Sequence, residues 1–216
     1  MTYKTYGTIL NNNVIKIDLH TKSSNSVCSQ LDLPSSQSRL SQLGFKTEKT
    51  INQYINTHNH IIDMKNIHSK IGSHQVDVIF ESNNIIYYFE SKNNMKLDTE
   101  KSIKSKDKLI YIRKFLKQKY KSKIIICKFL NMWTYNSDNM NYIKSPINKS
   151  DVYGYVDFFN IFDINVSKRE YNKLLSSIKK ILNPIQKEKE EDIYNINKYK
   201  YLSLKRKYSL LEAKIK

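Results

Sequence analysis

The chain has 216 residues, enough for one domain with a sizeable core, and carries 37 Lys and Arg against 20 Asp and Glu, a formal net charge of +17. That excess suits a polyanion such as nucleic acid, whereas no apolar run approaches the ~18 residues of a membrane span and the stretch Met1 to Tyr6 lacks an apolar signal region, so the protein reads as soluble, intracellular and without a membrane partner. Cys28 and Cys127 lie far apart and spell neither a disulfide nor a zinc framework, and because the wealth of Lys, Asn, Ile and Tyr also fits an AT-rich genome, the positions of the lysines carry more than the bulk charge.

Residues 1–20 alternate around Ile9, Val14, Ile15 and Ile17 and suggest a strand or small hairpin turning at Asn11-Asn12-Asn13. Residues 21–38 are rich in Ser, carry Pro34 and read as a loop or link. From Ser38 or Ser41 the spacing of Leu40, Leu43, Ile51, Tyr54 and Ile55 predicts a helix beside a sheet, interrupted at Gly44. His58-Asn59-His60 falls at its end without the surroundings of a ββα-metal unit, and His68 reads as a surface residue. His74 reads the same way, except that three residues before Asp77 it could face a substrate.

Between Gln75 and Lys92 two apolar, β-favouring runs flank Asn83-Asn84, a hairpin signal. With these two residues as the loop, Ser82 faces Ile85, and Asp77 falls directly opposite Glu90. Lys92 projects from the same face as Glu90, because side chains repeat every two residues. Like charges directly opposite destabilise a sheet. A divalent cation shared by Asp77 and Glu90, with Lys92 beside it to hold or activate a water, offsets that repulsion. An isolated Glu-x-Lys on an exposed strand is commonly just a solvated pair. Here Tyr87, Tyr88 and Phe89 precede Glu90 and Val76, Val78 and Ile79 surround Asp77, so both acids stand in strands that read as buried.

Asp77 followed on the next strand by Glu90-Ser91-Lys92 resembles the D...(D/E)xK signature of the PD-(D/E)xK nuclease superfamily, and Tyr87 to Lys101 (YYFESKNNMKLDTEK) is similar to the strand-then-helix segment of its type II restriction endonucleases. The likeness spans roughly residues 40–182, with Val76 where the family carries proline. The resemblance implies that Asp77 and Glu90 bind Mg²⁺, for which Mn²⁺ can substitute, that the Ser91 carbonyl also coordinates, and that Lys92 assists the attacking water. It also gives a role to Glu48, since many of these enzymes have an acid on the helix before the metal-binding strands. A surface Glu beside Lys46 and Lys49 is the alternative.

After the loop 93–97, Asp98 or Thr99 can cap a helix running to about Tyr120, with Ile103, Leu109, Ile110, Ile112, Phe115 and Leu116 as its apolar residues. Lys96, Lys101 and Lys104, nearest in sequence to the acids, are candidate phosphate contacts. The run 123–130 (KIIICKFL) reads as a buried central strand after a crossover. Residues 131–150 form a polar loop whose Trp133, Tyr135 and Tyr142 either read bases or cover the core. Residues 153–163 form a short strand or helix, and Ser167 to Glu170 has capping-box spacing, so a helix begins there with Leu174, Leu175, Ile178, Ile181 and Leu182 inward and stops near Asn183-Pro184.

The expected fold is α/β, a mixed β-sheet flanked by helices with a restriction-endonuclease-like core and a helical C-terminal extension. A nuclease domain spans 1–184 and a basic helical extension 185–216. The expected function is a Mg²⁺-dependent, site-specific double-strand DNA endonuclease, a homodimer acting in the cytoplasm of a prokaryote or of a virus-infected cell. A repair or nicking nuclease of the same core would give structure-dependent nicks instead of discrete fragments. A non-catalytic nucleic-acid binder would gain nothing from two paired carboxylates.

Overall fold

In the computed structural model, which describes residues 2–15, 37–95, 97–139, 143, 145–182 and 201, the chain order is α1 (Tyr3–Val14), α2 (Gln37–Ile55), β1 (Ile62–Asp63), β2 (Lys70–Ile71), β3 (His74–Gln75), β4 (Val78–Ser82), β5 (Ile85–Ser91), α3 (Thr99–Lys119), β6 (Ile124–Leu130), β7 (Val152–Tyr153), α4 (Tyr155–Asn160) and α5 (Lys168–Leu182). Asn83 and Asn84 both have positive φ, 51° and 62°, the two-residue turn whose twist matches that of the flanking strands. It fixes the antiparallel register Ser82↔Ile85 through Val78↔Phe89. β6 then joins β5 in parallel, as the helical crossover requires, and the sheet order is β1-β4-β5-β6-β7.

The two faces of β5 are separately buried. Ile86 and Tyr88 pack with Ile79, Ile125 and Cys127 beneath Leu109, Ile112 and Leu116 of α3. Tyr87 and Phe89 pack with Val78, Phe80 and Leu130 against Tyr6, Ile51, Tyr54, Phe158 and Ile178 from α1, α2, α4 and α5. The mixed sheet flanked by helices is therefore present, and its core takes in α1 as well as the 40–182 stretch. Among the described residues no helix is long and apolar enough to cross a membrane.

Local signals set most boundaries. Asp98 caps α3 by accepting the Lys101 N–H at 2.8 Å. At α5, Ser167 N–H donates to Glu170 Oε2 (2.9 Å) and Glu170 N–H to Ser167 Oγ (3.3 Å), the reciprocal bonds of a capping box. Two expectations are corrected. Residues 3–14 form a helix instead of strands, because Tyr6, Leu10 and Val14 fall on one buried stripe and Asn13, inside the supposed turn, donates to Thr50 Oγ1 and Gln53 Oε1 of α2, both at 2.9 Å. α2 also runs unbroken through Gly44, where a Cβ would come within 2.5 Å of Asn93 Nδ2, so the glycine serves close packing. Trp133 is buried and donates its Nε1–H to Asn93 Oδ1 at 3.1 Å, and Tyr135 OH donates to Val166 O at 2.8 Å, so both serve the core. The extension at 185–216, Tyr201 excepted, lies outside the described residues, as do Cys28 and Tyr142.

Because the turn sets the register, its backbone should be sensitive to substitution. Asn84→Val, a β-branched side chain at positive φ, should cost about 1–2 kcal/mol in urea unfolding, whereas Asn84→Gly should be neutral or slightly stabilising. Equal stability of the two variants would show that the turn does not hold the hairpin.

Candidate active site

The site begins where the β4–β5 ladder stops. Asp77 stands one residue beyond the last pair, Val78↔Phe89, which puts it opposite Glu90 as the hairpin predicts. Ser91 N–H donates to Asp77 Oδ2 at 2.9 Å, while Val76 N–H turns away to Ser69 O at 3.1 Å. A strand residue aims its N–H and C=O to the same side, so the Ser91 carbonyl is left outside the ladder on the Asp77 side. This is also the C-terminal end of the parallel pair β5/β6, tied by Lys92 N–H to Leu130 O at 2.9 Å, the end at which open α/β sheets collect ligands.

Glu90 is 5% exposed and accepts from three donors. Oε1 accepts Lys92 Nζ at 2.9 Å, and Oε2 accepts Lys108 Nζ at 2.5 Å and Tyr88 OH at 2.8 Å. Burial pushes its carboxyl up, but Lys92 and Lys108 more than offset that and hold it below the ordinary Glu value. Asp77 behaves oppositely. Burial first, then the Glu90 charge, push its carboxyl up to about 6, with Glu48 adding to the rise and Lys108 and the Ser91 N–H opposing it. The two acids repel each other, and the Asp77 carboxyl is the one raised, because Lys92 and Lys108 more than offset the push on Glu90.

The main chain at Asp77 is anchored from α2 and from Lys65 just after β1. Lys65 Nζ donates to Asp77 O (2.7 Å) and to Glu48 Oε1 (2.6 Å), and Asn52 Nδ2 donates to Asp77 O (3.2 Å). Glu48 thus belongs to the site as a support. The other candidates are engaged elsewhere. His74 meets the Tyr111 ring edge-on at 5.3 Å between centroids. Lys101 pairs with Asp98 at 2.9 Å and Lys104 with Glu100 at 2.5 Å, all four largely exposed. Lys96 lies outside the described residues.

Sequence reasoning missed Tyr88 and Lys108. Tyr88 shares the Glu90 face two residues earlier. Lys108 sits four and eight residues before the buried Ile112 and Leu116, so it lies on the core-facing stripe of α3, where its charge is the signal. Among the described residues no group of three or more His, Cys, Asp or Glu converges, so the acids here are the Asp77–Glu90 pair with Glu48 behind them. No protein-family model, curated protein or solved structure matches the chain.

The two acids should respond oppositely to neutralisation. A folded-state value near 6 against 3.8 means that Asp77 lowers stability progressively as pH rises through that window, the penalty being complete above about 6. Asp77→Asn should therefore stabilise the metal-free protein by about 1–3 kcal/mol at pH 8, an advantage that fades by about pH 4. Glu90→Gln should destabilise by about 1–3 kcal/mol at pH 8, since it strips two lysines of a buried partner. Melting curves in EDTA from pH 4 to 8 check both. Stabilisation by Glu90→Gln would mean that the lysines do not hold that acid.

Proposed function

We propose that the protein is a divalent-metal-dependent endonuclease that hydrolyses phosphodiester bonds of double-stranded DNA, in the manner of a type II restriction enzyme. The observation that carries this reading is the juxtaposition at the sheet's C-terminal end of Asp77, tied to the Ser91 N–H, with buried Glu90 and with Lys92 two residues on. Strand burial alone would favour apolar residues at these places. Two carboxylates and the outward Ser91 carbonyl form a set of hard oxygen donors that suits Mg²⁺ or Mn²⁺, ions that keep part of their water shell.

Bound there, such an ion would polarise a phosphate oxygen and stabilise the charge that grows at phosphorus. The chain supplies the rest. Lys92, anchored on Glu90 Oε1, presents ammonium protons where an attacking water must sit and favours its deprotonated form. The water oxygen bonds to phosphorus as the P–O3′ bond breaks, leaving a 5′-phosphate and a 3′-hydroxyl. Glu48, Asn52 and Lys65 keep the Asp77 main chain in place while charge is redistributed. A homodimer would set one such centre on each strand of a two-fold symmetric DNA site.

One observation favours a non-catalytic reading: Glu90 is already neutralised, as in a structural ion-pair network. Digestion of a complete bacterial or viral genome with Mg²⁺ separates the possibilities. Discrete fragments support restriction, structure-dependent nicks a repair nuclease, and intact DNA a binding protein. Within the nuclease reading Asp77→Ala, Glu90→Ala and Lys92→Ala should each slow cleavage by about a thousandfold or more, while duplex binding in Ca²⁺ survives. Full cleavage by Glu90→Ala or Lys92→Ala would end the assignment.

A further inference from the structure

Glu90 carries two ammonium groups where the proposed chemistry uses one. Lys92 comes from the same strand face as Glu90. Lys108 comes from α3, and its side chain is 17% exposed against 7% for that of Glu90. The two lysines are not equivalent. Lys92 holds Glu90 Oε1 and Lys108 holds Oε2, and the Lys108 charge also opposes the upward push on the Asp77 carboxyl. A cation shared by the two acids would compete with that ammonium. Glu90 Oε2 accepts Tyr88 OH and Lys108 Nζ together, which uses both of its lone-pair sites. A divalent ion that bound Oε2 would need one of those sites, and on either oxygen it would meet an ammonium at short range, where partial burial leaves the repulsion poorly screened.

Lys108 also has somewhere to go. Lys101, Lys104 and Lys108 are spaced by three and four residues and share one stripe of α3. The side chains of Lys101 and Lys104 are 72% and 74% exposed, so the stripe leads from the acids to solvent.

Resting on the nuclease reading above, we propose that Lys108 is a resident placeholder: in the metal-free protein it occupies Glu90 Oε2, a divalent cation displaces it, and the freed ammonium turns along the Lys101–Lys104 stripe to a phosphate of the bound duplex. Metal and DNA then favour the same arrangement of Lys108, and each raises the affinity for the other. A lysine that merely propped up the fold would do the reverse, since its removal would loosen the acids and weaken metal binding.

The test measures Mn²⁺ binding to the full chain by the electron paramagnetic resonance of free Mn²⁺, in wild type, Lys108→Gln, Lys108→Arg and Asp77→Asn. Lys108→Gln should bind Mn²⁺ about tenfold more tightly than wild type, because a competing charge is gone, and Lys108→Arg should match wild type. Addition of Ca²⁺ should tighten duplex binding more in wild type than in Lys108→Gln. Equal or weaker Mn²⁺ binding by folded Lys108→Gln overturns the proposal. Should that variant melt too low for the measurement, the wild-type Lys108 Nζ resonance, read through its Hε protons and assigned by its loss in Lys108→Arg, gives the answer. It should shift when Ca²⁺ saturates the site, and an unmoved signal overturns the placeholder role. Mn²⁺ binding that depends on Asp77 but ignores Lys108 sinks this inference alone. Wild type and Asp77→Asn binding Mn²⁺ alike would sink the metal site itself and this inference with it.

Discussion

A buried carboxylate at the end of a central strand constrains everything around it. Glu90 lies under α3 with almost no contact with water, and an ionised acid in that position costs several kcal/mol unless donors and opposite charge surround it. Tyr88, Lys92 and Lys108 meet that demand from three places: two residues before, two residues after, and a helix position 18 residues further on. The helix must therefore hold its phase to within a fraction of a turn. The Asp98 cap, which starts α3 at a fixed residue, and the Leu109, Ile112 and Leu116 stripe, which fixes its rotation, together aim Lys108 at Glu90.

The same constraint explains why Asp77 sits outside the ladder. Had β4 continued by two residues, Val76 would have exchanged main-chain bonds with Ser91 in regular antiparallel fashion. Instead Val76 N–H goes to Ser69 O, and the Asp77 side chain takes the Ser91 N–H. The second carboxylate is thus bound to the strand that carries the first, while its main chain is gripped by Asn52 and Lys65. Two acids that repel each other are kept close by contacts that do not involve their shared charge.

What could be read from the sequence follows from the range of the forces involved. The hairpin was legible because its register depends on two adjacent asparagines, and α3 and α5 because cap and apolar period lie within a few residues of each other. α1 was misread because its choice between strand and helix is settled by distant partners: Asn13 by Thr50 and Gln53, and Asn11 by Ser177. Lys108 was hidden differently. In a helix with lysine at every turn, composition masked the one lysine whose position belongs to the buried stripe, and the exposed Lys101 and Lys104 drew attention to the better-placed sequence neighbours.

That contrast bears on the chain's net charge. Lys101 and Lys104 are paired with Asp98 and Glu100, and around the acids Glu48, Asp77 and Glu90 stand Lys65, Lys92 and Lys108, three against three. Under the proposed function the metal-free centre of a chain with charge +17 is thus close to neutral, so the surrounding lysines and not the catalytic carboxylates would first attract a duplex. A divalent ion changes the sign of the centre. It would draw in the scissile phosphate at the same moment that it supplies the chemistry, and a phosphate arriving without it would meet a carboxylate pair with no charge to spare. Binding to any sequence would then be a property of the basic surface, and commitment to cleavage a property of the two acids and the ion between them.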